Sequence, residues 1–190
     1  AVNDAPTVYI APPGMIVDQS ALNTSLLLHV SDFTRAEKIT LDQRQTLSTI
    51  TVALGDRDSA LDNGILDSFS GTLGWAVYSV ENGAPGALLF SGADATPLLV
   101  DTGLNYSGGI DIVRATIDLG VTLDAGSYFI ALHEGAWGSA FDGTSIAAAS
   151  SLSPLAGAAS YSSDEESNPV NWRFSQSMAL RAAGTVSLMV

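Results

Sequence analysis

The feature of this sequence that most constrains its fold is a two-residue alternation of apolar and polar side chains. Its clearest example is the run Val113, Arg114, Ala115, Thr116, Ile117, Asp118 and Leu119. Successive side chains of a β-strand point to opposite faces, so this run predicts a strand with one buried and one solvated face. The same alternation recurs within residues 48–54 and 178–190, and no segment sustains an apolar helical period. The chain is therefore predicted to be all-β.

Two further segments, residues 73–80 and 128–133, are apolar at both alternating positions, which predicts central strands covered on both faces. Turn-forming residues separate the runs, as is typical of an all-β domain. We expect Pro85 and Gly86 to form a type II turn, with Gly86 at positive φ. Because each strand has an apolar face to bury, two stacked sheets are the expected solution. The predicted fold class is an all-β, antiparallel β-sandwich with a jelly-roll-like arrangement.

The length of 190 residues favours one domain, since a folded chain of this size buries roughly 70% of its surface. Residues 1–20 are interpreted as an extended N-terminal arm, because their prolines disfavour a packed element. Residues 21–190 are interpreted as a single β-sandwich domain. Residues 135–169 show only weak strand signals, so this stretch is functional, disordered or contains strands that the pattern does not reveal.

The charge balance excludes several classes of partner. The sequence has 20 acidic and 7 basic residues, a net charge of −13. Nucleic acids and anionic membrane surfaces are bound through clustered Lys and Arg, so neither is an expected partner. No apolar stretch approaches the about 20 residues that span a bilayer, so membrane insertion is not expected. With no cysteine, disulfides and thiolate chemistry are excluded. An acidic, lysine-poor composition favours a secreted or cell-surface location.

An acidic segment follows the strand predicted at residues 50–54. Its oxygen-bearing side chains are Asp56, Asp58, Asp62, Asn63 and Asp67. Hard oxygen ligands at this density are what Ca²⁺ selects, so the segment is a candidate calcium site. The spacing is not that of an EF-hand, because Ala60 and Leu61 stand where that loop needs an acidic or amide residue and a glycine. The alternative interpretation is a solvated acidic loop, and the same alternative applies to the acidic residues at 164–166.

Aromatic residues are concentrated in and near the long segment 135–169. The four candidates for ligand binding are Trp137, Phe141, Tyr161 and Trp172. Exposed rings beside polar side chains bind sugars on many β-sandwiches, so a carbohydrate-binding module is one predicted function. The alternative is that these rings pack against the edge of the sandwich.

Catalytic chemistry has few candidates in this sequence. The pair His133-Glu134 begins like the zinc motif H-E-x-x-H, but Trp137 stands where the second histidine ligand belongs. The other histidine, His29, lies among leucines and is interpreted as a strand position. A glycosidase needs only a pair of carboxylates, so an extracellular hydrolase remains a third alternative.

The N-terminal arm offers a route to self-association. Its candidate assembly residues are Thr7, Val8, Tyr9 and Ile10. An extended segment of this kind can add to the open sheet edge of another copy, and head-to-tail addition that does not close builds a filament. The alternative is that the arm pairs within its own domain or is disordered.

Three short motifs occur in order along the chain: Trp75-Ala76-Val77-Tyr78, Gly83-Ala84-Pro85-Gly86-Ala87-Leu88-Leu89 and Leu123-Asp124-Ala125-Gly126-Ser127-Tyr128-Phe129. They resemble the pattern of secreted bacterial β-sandwich proteins of the PEP-CTERM and choice-of-anchor families, although the Pro-Glu-Pro sorting motif is not present. The resemblance implies a β-sandwich fold and a surface or matrix role without a shared catalytic site. The residues at 1–6 are also similar to linkers of cadherin-like repeats in bacterial adhesins. The predicted function is therefore a non-enzymatic, secreted structural or adhesive protein of a cell surface, matrix or fibre.

Overall fold

The computed structural model describes residues 15–18, 21–57, 64–106, 109–141, 143–144, 146–151, 159–164 and 171–186. Within these residues the regular elements are strands, in the order β1 (Met15–Asp18), β2 (Leu22–His29), β3 (Thr34–Leu41), β4 (Gln45–Asp56), β5 (Leu73–Glu81), β6 (Ala84–Asp94), β7 (Leu98–Tyr106), β8 (Ile110–Leu123), β9 (Gly126–Glu134), β10 (Ile146–Ser151), β11 (Ser160–Ser163), β12 (Arg173–Ser175) and β13 (Leu180–Val186). The prediction of an all-β chain is confirmed.

The strands form two antiparallel sheets packed face to face. In the first sheet β4 is central: β8 and then β7 lie on one side, and the other side of β4 pairs with β13 and β10, which lead on to β1 and β2. The second sheet has the order β12-β11-β3-β9-β5-β6. The predicted antiparallel β-sandwich is thus confirmed.

The pairing of strands is nested, as in a folded ribbon. Strand β5 pairs with β6, β4 with β8, β3 with β9 and β2 with β10, each pair antiparallel. The nested pairs alternate between the sheets, giving the four-stranded groups β2-β10-β4-β8 and β3-β9-β5-β6. A double sheet built this way is a jelly roll, and the remaining strands extend its edges.

In the central strands, the alternating residues bury one face between the sheets. Ile50 and Val52 in β4 and Ile117 in β8 are fully buried, as the period-two pattern predicts. Strands β5 and β9 are buried on both faces: Val77 and Ile130 face the core between the sheets. The alternating positions of the same strands contribute to a second cluster on the outer face of the second sheet.

The turn between β5 and β6 differs from the predicted one. Asn82 and Gly83 have φ of 52° and 84°, the two positive values of a two-residue type I′ hairpin, whose twist matches that of the flanking strands. Pro85 pairs with Val80 inside β6, and Gly86 is not among the residues at positive φ. The predicted type II turn at Pro85-Gly86 is therefore wrong. Proline is accommodated because β6 is an edge strand.

The long segment 135–169 contains two strands that sequence patterns did not reveal. Strand β10 lies between β2 and β4, and its Ala147, Ala148 and Ala149 are fully buried. Small side chains at consecutive positions give no alternation, which is why the pattern missed a central strand. Near the N-terminus, β1 pairs with β13, so residues counted in the predicted arm join the first sheet. The assembly candidates Thr7, Val8, Tyr9 and Ile10 lie outside the described residues.

Candidate functional site

Three carboxylates are buried at one end of the sandwich. Asp56 ends β4, Asp111 lies at the start of β8, and Glu134 ends β9. Each continues the core-facing parity of its strand, and none is more than 5% exposed. Burying a charge is costly unless hydrogen bonds compensate for its lost hydration. The partners of these three side chains therefore decide what they do.

Each of these carboxylates accepts a hydrogen bond from the backbone of residues 64–70. The amide of Gly64 donates to Asp111 Oδ2 and the amide of Ser70 donates to Glu134 Oε1, both at 2.6 Å. The Ser68 amide and hydroxyl both donate to Asp56, at 2.6 and 2.7 Å. Short charge-assisted bonds of this kind are about twice as strong as neutral ones. We call Asp56, Asp111 and Glu134 the loop-anchoring carboxylates.

The anchored segment closes the end of the sandwich. Leu66 is buried in the core between the sheets, and Phe69 packs against the same core. The connection from β4 to β5 crosses from one sheet to the other. The loop-anchoring carboxylates therefore hold residues 64–70 over the interior of the sandwich. The acidic side chains at this end therefore serve the fold, since their oxygens accept donors from their own chain.

The predicted calcium residues divide between this end and the undescribed part of the chain. Both carboxylate oxygens of Asp56 accept hydrogen bonds from Ser68, whereas Asp67 is exposed. Asp58, Asp62 and Asn63 lie outside the described residues. Within the described ranges, no three acidic or histidine side chains form a group that could hold a metal ion. The calcium site therefore stays a prediction that depends on residues 58–63.

Each of the two histidines contacts neighbouring residues of the fold. His29 ends β2, as predicted, and its Nδ1 lies 3.4 Å from Asp32 Oδ2. His133 is fully buried near the end of β9, where Nδ1 donates to the Glu134 carbonyl at 2.5 Å. Its ring also packs against Trp137, with centroids 4.9 Å apart. Trp137, which stands in the place of a second zinc ligand, thus packs on the histidine.

The four predicted ligand-binding aromatics converge on the outer face of the second sheet. Tyr161 packs edge-on against Phe129, with ring centroids 5.4 Å apart, and its hydroxyl donates to the Gly83 carbonyl at 3.1 Å. Phe141 packs edge-on against His133 at 5.7 Å. Together with the two tryptophans they form what we call the outer aromatic cluster, made of Tyr78, Phe129, Trp137, Phe141, Tyr161 and Trp172.

Tyr78 is the centre of this cluster. Its ring is edge-on to Trp172 at 5.5 Å and tilted against Trp137 at 6.3 Å. Trp137 can approach β5 because Gly74 has no side chain: a Cβ there would lie 2.7 Å from the Trp137 amide nitrogen. Both tryptophans are partly buried and Tyr161 is buried. The cluster is therefore largely a second, smaller core on the back of the sheet.

Three hydrogen-bond donors in the cluster are buried. The Tyr78 hydroxyl and the indole nitrogens of Trp137 and Trp172 have no hydrogen-bond partner among the described residues. Burial also raises the pKa of Tyr78 well above its ordinary value, because the ionised phenolate would lose its hydration. The rings thus contribute to the cluster mainly through apolar packing.

One exposed ring, Phe174 of β12, was missed by the sequence reading. It is 81% exposed and lies over Tyr161, with centroids 4.7 Å apart and planes inclined by 30°. Arg35 holds this edge strand by donating from Nη1 to the Ser175 hydroxyl at 2.8 Å. Burial lowers the pKa of Arg35 to about 10. The available signal in the sequence was a single aromatic residue between polar neighbours, since Arg173 precedes Phe174 and Ser175 follows it.

The most unusual surface lies at the opposite side of the sandwich, on β6 and β7. Nine large hydrophobic side chains are exposed among the described residues, and seven of them belong to these two strands. Each of the seven is between 41% and 64% exposed. We call this surface the apolar edge, made of Leu88, Leu89, Phe90, Leu98, Leu99, Val100 and Leu104. A concentration of exposed apolar side chains marks an interaction site on many soluble proteins.

Sequence patterns did not identify the apolar edge. Runs such as Leu98-Leu99-Val100 are apolar at both parities, the pattern that also predicts a strand covered on both faces. Two prolines were the available signal, because Pro85 lies within β6 and Pro97 directly precedes β7. Proline in a sheet is largely confined to edge strands and strand starts. Neither β6 nor β7 was predicted as a strand, and Pro85 was assigned to a turn, so their place at the edge was not predicted either.

Comparisons with known proteins add no relative. No protein-family model matches the sequence, and no curated protein is significantly similar to it. Among the residues that the structure describes, no helix is long and apolar enough to cross a membrane. Arguments about function therefore rest on the surfaces described above.

Proposed function

We propose that this chain is a non-enzymatic structural or adhesive protein of an extracellular surface, matrix or fibre, and that it associates through its open sheet edges. The observation that carries the proposal is the apolar edge: of the nine large hydrophobic side chains exposed in the described part of the chain, seven lie on two consecutive strands. Native proteins usually protect a long edge strand with charges or cover it, because its backbone groups are a template for another chain. An edge left apolar favours association.

The carboxylates favour the same proposal over hydrolysis. Asp56, Asp111 and Glu134 are engaged with residues 64–70, and their burial keeps them from a substrate. A fourth buried carboxylate, Glu37, accepts from the Ser160 hydroxyl at 2.6 Å and the Met178 amide at 3.1 Å. These acids stabilise the fold, whereas a glycosidase needs a carboxylate pair that faces a cleft.

The resemblance to secreted bacterial surface proteins agrees with this proposal. Trp75 and Val77 of its first motif face the core, and the motifs at 83–89 and 123–129 form parts of β6 and β9 with their preceding turns. These are packing features, so the resemblance supports a scaffold with a surface or matrix role. A secreted location is part of the same proposal.

The test of the proposed function is assembly of the purified chain. We expect ordered oligomers or fibres that increase with protein concentration, observed by light scattering and negative-stain electron microscopy. A chain that stays monomeric at all concentrations and attaches to no surface would contradict the proposal. Deletion of residues 1–13 tests the predicted arm separately, because unchanged assembly would count against arm exchange.

A glycan-binding module is the second candidate function. The observation that favours it is Phe174, an exposed ring stacked on Tyr161 at the edge of the outer aromatic cluster. Stacking of a sugar on an exposed ring beside polar side chains is a common mode of recognition. Binding on a glycan array that is lost in Phe174→Ala and kept in Ile65→Ala, an exposed apolar control, would support this candidate. An array without binding would count against it.

A further inference from the structure

We propose that the apolar edge binds a second copy of this chain, with β7 of one protomer antiparallel to β7 of its partner across a two-fold axis. The inference rests on the proposed function and deepens it by naming the partner and the surface. In this arrangement β6 of one protomer also lies beside β6 of the other. Both sheets then continue across the interface.

The two edges open on the same side of the sandwich. Strand β6 pairs only with β5, and β7 pairs only with β8, among the described residues. The end of β6 is held against the first sheet, because Asp94 Oδ2 accepts from the Asp118 amide of β8 at 3.2 Å. One face of a partner can therefore reach both edges.

The interior of the sandwich reaches solvent between these edges. Phe90 pairs with Val77 and Leu99 pairs with Ala115, and both partners belong to the core between the sheets. Paired residues point to the same face of a sheet, so Phe90 and Leu99 face the core side and yet are 43% and 41% exposed. A second copy placed here joins its own core-facing residues to them.

The low density of charge on β6 and β7 is compatible with docking of a second copy at this surface. Each copy has a net charge of −13, so two copies repel at long range. Strands β6 and β7 have no basic residue, and their acidic residues are Asp94 and Asp101. Docking through this edge therefore brings few like charges together, and salt screens the remaining repulsion.

The size and number of edges favour a copy over the N-terminal arm. An extended strand such as residues 7–10 covers one edge, whereas the seven apolar side chains occupy two. Their exposed parts amount to on the order of 600 Å² over both faces of the two strands, against roughly 800 Å² per partner in a standard interface. A copy that continues both sheets contacts edge side chains on either face through cross-strand pairs. A two-fold interface presents the same surface on both sides, so each edge strand lies beside the equivalent strand of the partner.

The strands also determine where pairing occurs. Strand β7 is regular over Leu98–Asp101 and then has an irregularity before Leu104, where Gly103 has a φ of 65°. Irregularities of this kind interrupt an edge. We therefore assign the intermolecular pairing of β7 to residues 98–101.

The first experiment measures association by sedimentation velocity from about 1 µM to about 500 µM. We expect the wild-type chain to dimerise, more tightly at higher salt, and Leu98→Lys to weaken the dimer at least about tenfold. Phe174→Lys, on the opposite edge of the second sheet, is the matched control. Both variants add the same positive charge at an exposed apolar position, so a difference reports the surface and not the net charge. Circular dichroism checks that both variants fold.

The second experiment uses the absence of cysteine. Single cysteines at Leu98, Leu99 and Val100 are oxidised in turn, with Arg173→Cys as the control. A two-fold axis brings a residue of β7 close to its own copy, so we expect a disulfide-linked dimer from at least one β7 position and none from the control. Head-to-tail contacts do not bring equivalent residues together.

Three results would overturn the inference. A monomeric wild-type chain refutes it and also removes self-association from the proposed function. Association that persists in Leu98→Lys without β7 crosslinks places the contact elsewhere and leaves the proposed function standing. Association lost on deleting residues 1–13, again without β7 crosslinks, makes the arm the occupant of the edge.

Discussion

The loop-covered end of the sandwich and its β6–β7 side reverse the usual distribution of polar and apolar groups. At the covered end, Asp56, Asp111 and Glu134 are buried and accept backbone donors. At the β6–β7 side, seven large apolar side chains are exposed. Buried charge at the first region therefore stabilises the fold. The exposed apolar surface at the second region is the proposed site of association.

The difference corrects an intuition about acidic proteins. A net charge of −13 suggests solvated acids on the surface, and Asp67 and Asp118 are indeed exposed. Asp56, Asp111 and Glu134 instead occupy core-facing positions at one end of their strands, where they accept hydrogen bonds from a covering loop in place of water. Buried polar groups are stable only when they are hydrogen-bonded. The covered end meets that condition.

The largest expected effect is a loss of stability when the hydrogen bonds of the covered end are removed. Asp56→Ala removes the acceptor of both Ser68 donors, which we expect to cost about 2–3 kcal/mol and to lower Tm by roughly 5–10 °C. The control is Asp118→Asn, an exposed position on β8 whose substitution changes stability by at most about 0.5 kcal/mol. Thermal unfolding followed by circular dichroism measures both. Equal losses in the two variants would contradict the anchoring role.

The variant Asp67→Asn tests the calcium prediction. If residues 56–67 bind Ca²⁺, its addition to metal-stripped protein raises Tm, because a ligand that binds only the folded state stabilises it. The rise should be smaller in Asp67→Asn, since that side chain is one of the predicted ligands. No heat on calorimetric titration and no change in Tm would contradict the site.

An intermediate effect is expected at alkaline pH on the outer aromatic cluster. Burial raises the pKa of Tyr78, so the folded state keeps a proton that the unfolded chain releases above a pH of about 10. Stability is then full below that pH and falls as pH rises, by up to about 1.4 kcal/mol per pH unit. Tyr78→Phe removes this loss, so its Tm should fall less than that of the wild type above pH 10. Parallel curves for the two proteins would contradict burial of the hydroxyl.

The smallest expected effect is a change in dimer affinity at the apolar edge. Asp101→Asn removes an acidic side chain from the proposed pairing segment, and we expect it to tighten the dimer by about threefold, because close like charges oppose binding. Its amide oxygen can still accept from the Gly103 amide, as Asp101 Oδ1 does at 2.9 Å. Asp118→Asn makes the same change in net charge on β8. An equal response in both variants would show that only net charge matters.

Much of the sandwich was predictable because its strands are amphipathic. The alternation at residues 112–119 lies within β8, and the segments apolar at both parities became β5 and β9, buried on both faces. Strand β10 was not predictable, because Ala147, Ala148 and Ala149 give no periodic contrast. The turn predicted at Pro85-Gly86 was wrong for a local reason. Asn82 and Gly83 form a two-residue hairpin turn before it, which leaves the proline inside an edge strand.

The candidate sites were predictable only in part. Aromatic content selected Trp137, Phe141, Tyr161 and Trp172, and the fold does gather them on one face. Which rings would be exposed depended on the packing of separate strands, so Phe174 was missed. Acidic density selected Asp56, but Asp111 and Glu134 come from other strands and meet it only through the loop.

By itself the sequence determined the all-β class and the two-sheet architecture of this protein, because side-chain alternation is a local consequence of backbone geometry. Its composition also determined the acidic charge and the lack of thiol chemistry. Only the tertiary structure decided which strands lie at an edge and which acids are buried. Both depend on pairings between residues far apart in the chain, and a run of apolar residues is the same whether or not a neighbouring strand covers it.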